Sequence, residues 1–151
     1  MNRRTRIGTM ASATLTATLC WSGGTAAAHA PTTVTGRAAV TCVGPSFSGT
    51  LGVNQAICNS GYSVTMQDNG DLVLRRSNGS ACYASGTRAP GDATATFVFH
   101  AAAPPTVDIN SASQGRIGRI VGAHNFTGLG TNASVNNRGE FYVGYKKIGY
   151  C

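Results

Sequence analysis

The sequence predicts an all-β fold in which several small antiparallel sheets pack together and disulfides brace them. Short stretches of alternating apolar and polar residues recur between Gly, Asn, Asp and Pro, and no stretch repeats its apolar residues at helical spacing. Charged residues make up only 11% of a chain of 151 residues that contains 20 glycines, so hydroxyls and amides supply most of the polarity. Finally, one hairpin pattern occurs three times. That length fits a single domain, and the charge content is too low for a disordered tail.

Residues 1–30 read as a secretory signal. Arg3, Arg4 and Arg6 form a basic start, Ile7 to Trp21 is a modest apolar run without acids, and Ala26 to Ala30 offers small residues for cleavage, after Ala30 or after Ala28. A membrane anchor is the weaker reading, because the run is diluted by threonines and falls short of the ~20 residues a span needs. Cys20 lacks the small residue before it that lipoprotein processing prefers, and the residues after Arg3-Arg4 give little support to a twin-arginine signal. Removing 1–30 takes three of the twelve basic residues and none of the five acids, which leaves a net charge of 9 − 5 = +4.

Residues 31–50 are expected to form an N-terminal arm, and residues 51–151 the folded domain. Four cysteines remain after cleavage: Cys42, Cys58, Cys82 and Cys151. In an exported chain this even number predicts two disulfides, with three pairings open. One of them, Cys42 with Cys58 and Cys82 with Cys151, ties the arm down and joins the outer repeats. No C-x-x-C pair exists and only His100 and His124 could assist, so no metal is expected.

The hairpin is clearest from Tyr62 to Arg75. Tyr62, Val64 and Met66 share one face of a first strand, Asp68-Asn69-Gly70 makes the turn, and Leu72 and Leu74 return on the same inward face. Ser63, Thr65 and Gln67 then point outward beside Asp71, Val73 and Arg75, with Gln67 across from Asp71. A shift of 69 residues lays Ala133 to Val143 over this hairpin: Val135 falls on Met66, Gly139 on Gly70, Glu140 on Asp71, Phe141 on Leu72, Val143 on Leu74, and Cys151 on Cys82. A worn middle copy has Phe97 and Phe99 before His100, a longer turn through Pro104-Pro105, and Val107 and Ile109 inward. Three copies, none able to bury its own face, imply three small antiparallel sheets around a pseudo-threefold axis.

These residues resemble the bulb-type, monocot mannose-binding lectin family, whose fold is the β-prism II. The resemblance covers about Leu51 to Cys151. It is sharpest where Met66-Gln67-Asp68-Asn69-Gly70-Asp71-Leu72-Val73-Leu74 is followed by Ser77-Asn78-Gly79 and Tyr83-Ala84-Ser85-Gly86-Thr87, similar to a Trp-x-Ser-x-Thr strand with Tyr83 in the tryptophan place. The family's sugar motif, Gln-x-Asp-x-Asn-x-Val-x-Tyr, falls on Gln67, Asn69, Asp71, Val73 and Arg75. Gln67 and Val73 agree, Asp and Asn are exchanged, and Arg75 replaces the tyrosine. The resemblance implies a carbohydrate-binding site at these five residues and a second, weaker one at Asn136, Arg138, Glu140 and Tyr142. The middle set, His100, Ala102, Thr106, Asp108 and Asn110, is read as lost.

Sugar hydroxyls need a carboxylate acceptor, amides that donate and accept, and an apolar contact for the ring's C–H face; those group types survive here. A shallow site of this kind is expected to bind at about millimolar strength, about 4 kcal/mol, so useful avidity needs several sites. Expected partners are a glycan or glycoprotein, with an anionic cell-wall polymer allowed by the mild positive charge and a homodimer by exposed sheet edges. Nucleic acid is not expected, since no Lys/Arg run exceeds two residues.

No catalytic residue and no cofactor are expected. Gly44-Pro45-Ser46-Phe47-Ser48 lacks the final Gly of a nucleophile elbow, and no metalloprotease, Walker or dinucleotide motif occurs. His100 or His124 with Asp92 or Asp108 has no spacing that argues for an acid/base pair. The glycosylation-type triplets at Asn78, Asn125 and Asn132 are read as turns. The competing functional class is a secreted protein-binding module, such as a protease inhibitor or antagonistic factor, that uses loops like Gly122 to Thr131.

Overall fold

The computed structural model describes residues 39–151, so the signal read in 1–30 and the start of the arm lie outside the described residues. All thirteen elements described are strands: β1 (Thr41–Cys42), β2 (Ser46–Phe47), β3 (Thr50–Leu51), β4 (Gln55–Asn59), β5 (Tyr62–Met66), β6 (Leu72–Arg76), β7 (Ala81–Ala84), β8 (Ala93–Val98), β9 (Thr106–Ser111), β10 (Gly115–Val121), β11 (Ala133–Val135), β12 (Glu140–Val143) and β13 (Lys146–Tyr150). They form three sheets, ordered β1-β4-β5-β6-β7, β3-β8-β9-β10 and β2-β11-β12-β13. Every named pairing is antiparallel except β1 with β4.

Residues 39–50, within the segment read as an arm, are woven into the fold. β1 joins the first sheet, β3 the second and β2 the third. Two-residue strands carry no periodicity of their own, and it is the sheets they meet that give them order. The chain therefore supplies the first strand of all three sheets before any repeat begins, and the pairings nest: β4 with β5, β3 with β8, β2 with β11.

Period-2 alternation builds the core. In the first sheet Val64 pairs with Leu74 and Met66 with Leu72; in the third, Val135 pairs with Phe141 and Ala133 with Val143; in the second, Phe97 pairs with Val107 and Ala95 with Ile109. All twelve are buried in one cluster shared by the three sheets, and each large side chain there contributes about 1.5–3 kcal/mol. Phe99 lies past the end of β8 and is exposed, so the longer middle turn absorbs it.

The first and third turns are built alike. The Gln67 N–H donates to Asp71 O at 2.9 Å and the Gly70 N–H to Gln67 O at 3.1 Å; Asn136, Glu140 and Gly139 repeat both bonds at 3.1 Å. Gly70 and Gly139 have φ of +88° and +73°, a region costly for any residue with a Cβ, and both turn against a neighbour, Gly70 on the Ala89 backbone and Gly139 on the Tyr62 ring. The pairing of the next-to-last strand with the last one in each sheet, β6–β7, β9–β10 and β12–β13, also carries one bulge, with Cys82, Ile117 or Ile148 as the extra residue. Cys42–Cys58 and Cys82–Cys151 form the two disulfides, with Cα separations of 5.7 and 5.1 Å. Cross-links of this kind persist in oxidising compartments, which is consistent with an extracellular protein.

Candidate functional site

The β5–β6 hairpin places Gln67 and Asp71 at the last paired rung before the turn, half-buried and facing out of the core as alternation requires. Asn69 Oδ1 accepts the Asp71 N–H at 3.0 Å and so stiffens the turn. Asp71 Oδ1 accepts the Ser85 hydroxyl at 2.7 Å and the Gly86 N–H at 2.9 Å, which ties the hairpin to the segment after β7. Ser85 in turn accepts the Leu72 N–H at 3.0 Å, and Thr87 donates to Gly70 O at 2.6 Å. The Tyr83-to-Thr87 segment thus buttresses the turn from behind.

Arg75 is held on both sides. Its Nη1 donates to Gly79 O at 2.7 Å, and with the Gln67 amide oriented by its surroundings, Gln67 Oε1 accepts from Arg75 Nη2 and Nε at 3.0 and 3.2 Å. This contact spans the rung occupied by Val73, which is buried at 2% exposure although it stands outside the core cluster. Val73 therefore presents little apolar surface. Among Gln67, Asn69, Asp71, Val73 and Arg75, the polar side-chain atoms without a protein partner are one carboxylate oxygen, Asp71 Oδ2, and two amide nitrogens, those of Asn69 and Gln67.

The third repeat gathers Asn136, Glu140 and Tyr142, and adds Lys147, which the sequence reading missed. Glu140 Oε2 accepts from Asn136 Nδ2 at 2.7 Å and from the Tyr142 hydroxyl at 3.0 Å, while Oε1 accepts from Lys147 Nζ at 2.9 Å. Asn136 Oδ1 takes the Arg138 and Glu140 N–H groups, both at 3.0 Å. The bond from Lys147, then those from Asn136 and Tyr142, pull the Glu140 carboxyl down to about 2. Burial, then the Glu140 carboxylate, pushes the Tyr142 hydroxyl up. Arg138 lies exposed on the turn. Here both carboxylate oxygens are already occupied by the protein. Lys147 pairs with Tyr142 across β12 and β13, a register no local motif in the sequence announces.

In the middle repeat an ion pair stands in the corresponding place. Arg119 Nε and Nη2 reach Asp108 Oδ1 and Oδ2 at 2.7 and 2.6 Å, and Thr106 donates to Oδ1 at 3.2 Å. The Arg119 bonds, opposed by desolvation and aided by Thr106, hold the Asp108 carboxyl below the usual range. Asn110 turns to the Asp108 backbone oxygen at 3.4 Å, and Ala102 lies exposed in the turn. His124 Nε2 meets the carbonyls of His100 and Ala103 at 2.8 and 2.9 Å, and its Nδ1 accepts the Gly130 N–H at 2.9 Å. Among the described residues no hydrogen bond joins either histidine to a carboxylate, and no group of three metal-ligating side chains occurs. Asn78 and Asn125 cap tight turns; Ala133, next to Asn132, already belongs to β11.

Comparison with known proteins finds no family model, no curated protein and no solved structure that matches this chain. Among the described residues no helix is long and apolar enough to cross a membrane.

Proposed function

We propose that this chain is a secreted, non-catalytic carbohydrate-binding protein with a β-prism II arrangement like that of the bulb-type lectins, and that it binds glycans at the β5–β6 hairpin. One observation carries the reading: Asp71 Oδ2 and the amide nitrogens of Asn69 and Gln67 are left without protein partners on one stiffened, outward turn. An acceptor flanked by two donors matches vicinal sugar hydroxyls, each of which donates and accepts. The third repeat, whose Glu140 is already saturated, serves packing more than binding. A glycan on a cell wall or glycoprotein is the natural target, an anionic wall polymer suits the positive charge, and a homodimer supplies avidity.

The test is a glycan array probed with the disulfide-intact protein and with Asp71→Asn and Gln67→Ala. Sugar binding lost in both variants, with their unfolding midpoints kept, supports the reading; silence across the array overturns it. A second reading rests on Phe126, which is fully exposed at the tip of a turn closed by Asn125–Gly128 hydrogen bonds of 3.1 and 3.5 Å. A rigid apolar tip is what a protein-binding loop presents to an apolar pocket. Silence on the array together with a protein target lost on Phe126→Ser would move the function there.

A further inference from the structure

The three last strands, β7, β10 and β13, converge. In each, the residue after the bulge faces an inward residue of the neighbouring strand: Tyr83 opposite Leu74, Gly118 opposite Ile109, Gly149 opposite Phe141. Only the first repeat puts a side chain there. The Tyr83 ring passes over Gly149, where a Cβ would lie 2.7 Å from Tyr83 Cβ and 2.8 Å from Cγ. The Thr87 methyl likewise covers Gly118, and beside these contacts lies a cavity of about 320 Å³ lined by Tyr83, Ile109, Ile120 and Ile148 together with Ser85 and Thr87.

That volume would hold about ten waters at ~30 Å³ each and falls at the small end of ligand pockets, which run from ~300 Å³ upward. The lining mixes the Tyr83 ring and isoleucine side chains with the Ser85 and Thr87 hydroxyls, and the charges on it are basic. Arg119, Lys146 and Lys147 line the cavity and no carboxylate does, among the described residues. Arg119 is committed to Asp108 and Lys147 to Glu140, whereas Lys146 has no carboxylate within ion-pair reach among the described residues. A cation at the mouth of a recess lined by one sign of charge attracts an anion more strongly than an isolated one on open surface.

We propose that this cavity binds a small organic anion with a flat apolar body, in its simplest form a ring carboxylate, with the ring against Tyr83 and the isoleucines and the carboxylate on Lys146. Gln67, Asn69 and Asp71 do not line it, although Ser85 and Thr87, which brace the hairpin turn, do; the proposal stands whether or not the protein binds sugar.

The test is an amide proton–nitrogen titration of the folded, disulfide-intact protein with benzoate, and with benzamide as the neutral isostere. Benzoate is expected to shift the Gly118, Lys146 and Gly149 amides saturably at millimolar strength, and benzamide to bind at least about tenfold more weakly. Lys146→Gln, an exposed change that leaves the fold intact, is expected to bring benzoate down to the level of benzamide. Absence of saturable shifts at these amides, equal binding of the two probes, or full benzoate affinity in Lys146→Gln overturns the proposal. A sugar titration of the same sample reads out at the side-chain amides of Gln67 and Asn69, which do not line the cavity, so the two sites succeed or fail separately.

Discussion

Arg75 turns back along β6 and donates two hydrogen bonds, of 3.0 and 3.2 Å, to the side-chain oxygen of Gln67, Oε1. The contact takes an acceptor from the hairpin face and lies over the rung of Val73. Replacing Arg75 with tyrosine, the residue the lectin motif carries at this place, releases that oxygen. Methyl α-mannoside affinity of Arg75→Tyr is expected to rise about threefold to tenfold, the worth of one recovered hydrogen bond. Calorimetric titration checks it; affinity unchanged or lowered would count against a sugar site on this face.

Glu140 makes stability pH-dependent. Its folded value of about 2 lies below the ordinary 4.5, so the stabilisation is present above about 4.5 and is lost as the pH falls toward 2. Glu140→Gln should flatten that part of a melting-temperature profile while changing the slope near neutral pH little. A variant whose acid limb matches the parent's would mean that the Lys147 and Asn136 contacts are not maintained in solution.

The two disulfides should contribute unequally. Cys82–Cys151 spans 69 residues of sequence and Cys42–Cys58 spans 16. Chain-entropy arguments give about 4 kcal/mol for the longer closure and about 3 kcal/mol for the shorter. Urea titration of the two double Cys→Ala variants tests the order, and a greater loss from the short loop would contradict it.

Gly70→Ala and Gly79→Ala isolate two effects. Both glycines have φ near +85°, +88° and +85° respectively, but a Cβ at Gly79 meets nothing within 4 Å, whereas at Gly70 it would overlap the Ala89 backbone. Gly79→Ala is expected to cost about 1 kcal/mol from backbone strain alone, and Gly70→Ala at least about twice that. Equal unfolding free energies would show that the Gly70–Ala89 approach relaxes without cost.

The hairpins were legible because alternation and a Gly turn are local signals: Val64, Met66, Leu72 and Leu74 declare their shared face within a dozen residues, and Gly139 and Phe141 repeat it. β2 and β3 were not, because Ser46-Phe47 and Thr50-Leu51 become strands only through partners far along the chain. The same limit hid Lys147 beside Glu140 and Arg119 on Asp108, pairs set by register between strands. At the candidate site the residue types could be read, but not which atoms stay free. Arg75 closing on Gln67, and Ser85 taking one oxygen of Asp71, depend on three-dimensional neighbours that no motif specifies.

Because β2 and β3 wait for β11 and β8, a chain emerging from its amino end exposes two orphan strands until most of its length has been delivered. Every strand of the first sheet lies between Thr41 and Ala84, whereas the second and third sheets each need a strand from far earlier in the chain, and the Cys82–Cys151 bridge ties the first repeat to the third. Closure of the second and third sheets is therefore governed by long-range pairing more than by any hairpin.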